Sequence, residues 1–132
     1  MKKIDSIILS GKESLPLIEG GKGIAVSSGE SSGAWAKAGG VGTFSGVNAD
    51  SYDKDGNLIP QLYKENTRKG RHRELVDFSV SGAIEQAKIA RDIAGINAPI
   101  HINILWEMAA AEEILTRTLE QVGDIIDGVT CG

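Results

Sequence analysis

A single cysteine, Cys131, stands among 132 residues, which excludes an internal disulfide framework and makes a reducing compartment the default. Positive charge is also in short supply. Fourteen Lys and Arg against eighteen Asp and Glu leave a formal net charge of −4, so nothing electrostatic favours a nucleic-acid or anionic-membrane partner. No apolar run is long enough to cross a bilayer, and Ile7-Ile8-Leu9 behind Lys2 and Lys3 falls far short of a signal-peptide core. The expectation is a cytoplasmic protein with no nucleic-acid and no membrane partner. Prolines number only three against seventeen glycines, a balance that points to tight turns and close backbone approaches in an ordered chain. There is no internal repeat and no low-complexity segment. The length suits one domain with a real core.

Familiar ligand loops are missing as well. Gly21-Lys22-Gly23 is followed by Val26 where the third glycine of a dinucleotide fingerprint belongs. A phosphate-binding P-loop fails because Pro16 lies six residues before Lys22 and Gly23 follows it. The stretch SYDKDGN invites a calcium-loop reading, but alignment on Gly56 puts Leu62 where a bidentate Glu is needed. A polar turn is the better reading, and no metal is expected.

What is present is an alternation of strands and helices. Ile4 to Leu9 and Leu15 to Ile18, separated by Ser10-Gly11-Lys12-Glu13, suggest a hairpin leading into a first strand. Ser27 to Ala38 reads as a short serine-capped helix closed by Gly39-Gly40, and Val41 to Phe44 as a strand. Asn48 to Gly70 is polar and irregular and reads as a long loop; the charge-rich stretch Asp50 to Arg73 is either a solvated segment or, by its length, a lid or subunit contact. Helical periodicity runs from about Arg71 to Ala94 and again from Ala109 to Val122. Pro99 to Leu105 and Asp124 to Cys131 complete the strands. This order predicts βαβ units and a parallel sheet.

The strand PIHINIL places Ile100, Ile102 and Ile104 on one face and His101 and Asn103 on the other. The isoleucine face suits a helix layer. The polar face requires hydrogen-bond partners, supplied either by a polar ligand or by neighbours within a core. Trp106, directly after this strand, reads as a loop-capping hydrophobe or a stacking surface. Cys131 reads as a small buried residue, with no basic partner nearby to make it a nucleophile.

With these residues in view, PLIEGGKGIAVSSGESSGAWAKAGGVGTFSG resembles the opening of the nitronate monooxygenase (2-nitropropane dioxygenase-like) family. That opening is a P-I-I-Q-G-G-M-G-type strand end, a small-residue helix and A-G-G-x-G-T. Pro99 and Asn103 match the P-x-x-x-N strand that follows, and the resemblance spans Leu15 to Gly132. Flavin-dependent enoyl-acyl-carrier-protein reductases share the same opening.

The resemblance implies an α/β fold of the parallel (β/α)8 TIM-barrel type that binds FMN. Residues 1–14 would form an amino-terminal hairpin, and residues 15–132 the first half of the barrel, about four β/α units. By family position Gly20, Gly21, Lys22 and Gly23 line the isoalloxazine, and Asn103 hydrogen-bonds the cofactor. Glycines there admit a planar ring where any Cβ would collide. Lys22 replaces the family's methionine; it either stabilises an anionic reduced flavin or points to solvent. The implied activity is an FMN-dependent oxidation of a small nitronate-like substrate through flavin N5, with oxygen as oxidant. The alternatives are an enoyl-thioester reductase and, in a different class, a non-catalytic barrel fragment acting as an assembly or binding module. A full barrel takes roughly 250 residues, so the expected partners are a small-molecule substrate and either the missing second half of the barrel or further copies in a homo-oligomer. The catalytic residues are expected beyond residue 132, since neither His72 nor His101 matches the family's histidine motif.

Overall fold

The alternation in IHINI decides how the molecule is layered. The computed structural model describes residues 4–132, and Lys2 and Lys3 lie outside that range. Its elements are a hairpin of β1 (Ile7–Leu9) and β2 (Lys12–Ser14), helix α1 (Gly29–Lys37), strand β3 (Gly42–Ser45), helix α2 (Arg68–Ala94), strand β4 (Ile100–Ile104), helix α3 (Ala111–Val122) and strand β5 (Gly128–Cys131). Among the described residues, β3, β4 and β5 form a three-stranded parallel sheet in that order, and β1 and β2 a separate antiparallel pair. Ile100, Ile102 and Ile104 are fully buried with Phe44 against Val76, Val80, Ala83 and Ala87 of α2 and Ile114 of α3. Removing those branched side chains from water is the main stabilising term of the fold.

Each helix has a local cause. Ser28 caps α1 by accepting the Ser31 N–H, and Thr67 caps α2 by accepting the Gly70 N–H, each satisfying one amide that has no partner within its helix. Gly95, at φ +76°, ends α2 in a conformation that suits glycine. Helix α1 presses closely on α2: a Cβ at Gly33 would lie 2.7 Å from the Ile93 Cβ and 2.8 Å from the Ala90 carbonyl oxygen. The helices therefore meet through missing side chains.

This arrangement corrects the barrel expectation. Among the described residues the fold is a small α/β structure with three helices, one two-stranded and one three-stranded sheet, and the four β/α units of a TIM-type barrel are not formed. Two local causes are visible. Leu15 to Ile18 makes one parallel bridge, Ile18 with Val41, in place of a strand ladder. The Leu15 and Glu19 N–H groups reach the carbonyls of Gly39 and Val41, but the Leu17 N–H between them turns back onto the Leu15 carbonyl at 2.7 Å and interrupts the ladder. The chain then folds over the polar face of the sheet. At the other end, a 3-10 turn, Gly123–Ile125, takes the first residues of the expected last strand, which starts only at Gly128. Among the described residues no helix is long and apolar enough to cross a membrane.

Candidate functional site

The polar face of the sheet organises the region around the glycine loop. Register pairs Thr43 with His101, Ser45 with Asn103, and Asn103 with Thr130, so these side chains stand side by side on the face opposite the isoleucines. Residues 20–27 cross this face. The Ala25 N–H donates to Ser45 Oγ at 3.2 Å and to the Val47 carbonyl at 3.2 Å, and the Ser45 N–H donates to the Ser27 carbonyl at 2.8 Å. Ala25 accepts a positive φ of 60° to make this turn.

Within the loop the glycines differ in what they face. A Cβ at Gly21 would lie 2.5 Å from the Asn103 Cβ and 2.9 Å from Thr43 Cγ2. Its bareness lets the loop lie flat on the sheet. At Gly20 and Gly23 a Cβ would meet nothing within 4 Å, so their main chain is open to solvent. Among the described residues the amides of Gly20, Gly21 and Gly23 have no acceptor. Lys22 between them is exposed, and its main chain is held from both sides. The Lys22 N–H donates to Ser27 Oγ at 3.0 Å, and the Ser27 N–H donates to the Lys22 carbonyl at 3.3 Å.

A cleft of about 390 Å³ opens beside Gly20 and Lys22, walled by Val26, Ser31, Trp35 and Glu19. Glu19 is fixed by two donors, the Thr43 N–H at 2.9 Å and Ser31 Oγ at 3.1 Å. The Trp35 indole N–H donates to the Leu17 carbonyl at 3.3 Å, and Gly40 leaves room for that ring. The cleft thus combines one cation, one carboxylate, the free amide of Gly20 and an aromatic wall. Of the residues singled out from the sequence, Gly20 and Lys22 reach the cleft. Gly21 and Asn103 are brought together beneath it, and Gly23 lies open at the loop's far side. Asn103 accepts a hydrogen bond from Thr130 Oγ1 at 3.1 Å and forms no part of the cleft wall.

A second polar cluster lies where the hairpin docks. His101 is 6% exposed. Its Nε2 bonds Ser10 Oγ at 2.9 Å, while its Nδ1 is buried with no partner among the described residues. Burial pushes its pKa down, opposed by the nearby Asp127 carboxylate. Asp127 binds Lys12 at 2.7 Å, Arg91 at 2.6 Å and the Ile100 N–H at 2.9 Å. Burial disfavours its charge, but Lys12, the Ile100 amide and Arg91 together hold its carboxyl below the usual carboxylate range. Arg91 also donates to the carbonyls of Gly95, Ala98 and Ile125. Sequence reasoning missed Arg91 and Asp127, as it missed Glu19 and Trp35. An arginine inside the apolar stripe of a helix was the available signal for the first pair.

Other candidates find plain roles. In SYDKDGN, Asp53 accepts the N–H groups of Asp55 and Asn57 at 2.8 and 2.9 Å, a self-satisfied turn. Among the described residues no three metal-binding side chains converge. Trp106 is 52% exposed, with its N–H bonded to the Gly132 carbonyl. Cys131 is exposed rather than buried: the register sets it beside Ile104 on the isoleucine face, but among the described residues β5 has only one neighbouring strand and lies at the edge of the sheet. No protein-family model and no curated protein matches this sequence.

Proposed function

We propose that the chain is part of an FMN-dependent oxidoreductase of the nitronate monooxygenase type, with the flavin ring held at the loop of Gly20 to Gly23. The observation that carries this reading is the open main chain at Gly20 beside a cleft holding Lys22. It joins the sequence resemblance to a bare stretch of main chain that a planar ring can approach without meeting a Cβ at that position. The reading does not rest on a closed barrel.

The residues present suit such a group. The unpaired amide of Gly20 is a donor for a ring carbonyl. Lys22, clamped through its main chain by Ser27, places an ammonium at the rim, where it favours added negative charge on a bound ring. Trp35 supplies an apolar wall that keeps water from one side of the cleft. Asn103 and Thr43 act from beneath by seating Gly21, which sets the height of the loop above the sheet. When bound, the flavin would supply an acceptor for the electrons of a small carbanion-like substrate and a route for passing them to oxygen.

The test is a visible spectrum of the purified protein, without and with added FMN. The expected outcome is a flavin absorption band that remains after desalting and is lost in Gly20→Val, whose fold should persist because no neighbour crowds that position. A colourless protein that also fails to take up FMN would support the binding-module alternative. Bleaching by NADPH alone would favour the enoyl-thioester reductase; bleaching only with an alkyl nitronate would favour the monooxygenase.

A further inference from the structure

Five of the ten residues from Lys64 to Arg73 are Lys or Arg, in a chain whose net charge is −4. Among the described residues none of these five enters an ion pair, whereas Arg91 and Arg117 do. The nearby carboxylates are committed elsewhere. Glu74 accepts the Lys64 N–H at 2.9 Å and the Glu65 N–H at 3.3 Å, and Asp77 takes Arg117 at 2.9 Å. The Glu65 carboxylate lies over Gly70, in the neighbouring groove. Four of the cations fall in the first six residues of α2, where the helix dipole also opposes them. Local interactions therefore do not explain why so much positive charge is gathered here.

Beside this ridge lies a groove of about 430 Å³ lined by Tyr63, Arg68, Arg71, His72 and Leu75. No carboxylate lines it. Its walls are of two kinds. Arg71 is held in place by its Nε–H bond to the Glu65 carbonyl at 2.9 Å. Tyr63 is braced edge-on against Phe78, with ring centroids 5.6 Å apart and planes at 87°. Guanidinium forks match phosphate oxygens in pairs, and a braced aromatic ring beside Leu75 offers a flat apolar wall.

We propose that this groove binds a small phosphomonoester bearing a planar ring, with Arg68, Arg71 and His72 meeting the phosphate and Tyr63 and Leu75 the ring. The site is separate from the glycine loop and does not depend on the flavin reading. Its test is an NMR titration at fixed ionic strength that follows the ring protons of His72, with AMP, adenosine and inorganic phosphate as probes. The expected result is a saturable shift with AMP, no shift with adenosine, and affinity for inorganic phosphate at least tenfold weaker than for AMP. The double variant Arg68→Ala/Arg71→Gln should lose AMP binding about tenfold or more. Gly20→Val and Lys88→Ala should bind as the parent does. Absence of a saturable His72 shift with AMP would overturn the site. Equal binding of AMP and inorganic phosphate would overturn the ring-bearing ligand, and equal weakening by Lys88→Ala would reduce the effect to general charge attraction.

Discussion

At Gly21 the missing side chain is used against the sheet, while at Gly20 it is used against solvent. Replacement separates the two. Gly21→Ala puts a methyl carbon 2.5 Å from the Asn103 Cβ, and overpacking of this kind costs about 1–3 kcal/mol. Gly20→Ala meets nothing and should stay within about 0.5 kcal/mol of the parent. Urea unfolding of the two variants checks this; equal stabilities would mean the loop does not lie on Asn103. His101 gives a pH-dependent expectation. Its folded pKa lies below the ordinary 6.5 because of burial, so the unfolded chain takes up the proton first. Stability is therefore complete above about pH 6.5 and declines as pH falls below it. Unfolding midpoints measured from pH 7.5 to 5 should fall for the parent and stay level for His101→Asn. The sequence showed that His101 and Asn103 share a face needing partners. It could not show that the partners are Ser10 and Thr130, 91 and 27 positions away, because nothing local links them.

Among the elements, the hairpin, α2 and β4 are tied through Asp127, the residue just before β5. Its carboxylate joins Lys12 of β2, Arg91 of α2 and the first amide of β4. Asp127→Ala leaves the Arg91 guanidinium, 9% exposed, without its counter-charge, and a broken buried pair costs about 3 kcal/mol or more. Lys12→Met removes the more exposed partner and should cost about 1 kcal/mol or less. Denaturant unfolding distinguishes the two, and a smaller loss for Asp127→Ala than for Lys12→Met would show that the cluster does not hold the elements together. The helices were legible because their apolar positions repeat at helical spacing. The structure starts α2 at Arg68, three residues before the expected Arg71, where Thr67 provides the cap. The strands were less legible. Leu15 to Ile18 has strand composition, yet the Leu17 N–H turns back onto Leu15 and the pairing is reduced to a single bridge. The 3-10 turn after α3 reads as strand in the sequence, because DIID carries no marker that separates the two.

For the whole molecule, the barrel was the largest misreading. Alternating strands and helices are compatible with several parallel architectures, and nothing in periodicity specifies how many strands join one sheet. The resemblance filled that gap, and the three-stranded sheet replaces what it implied. The layering itself was readable: isoleucines toward helices, polar residues away from them. What covers the polar side was not, because that cover comes from the chain's own opening segment. Ser10 touches His101, Gly21 touches Asn103 and Thr43, and Ala25 touches Ser45. The molecule therefore waterproofs its hydrophilic interior with its own leading residues. A version trimmed to begin after Ser14 would lose Ser10 and let water in at His101, while Gly21 and Ala25 still sealed Asn103, Thr43 and Ser45, so the leak would be confined to one corner of the sheet.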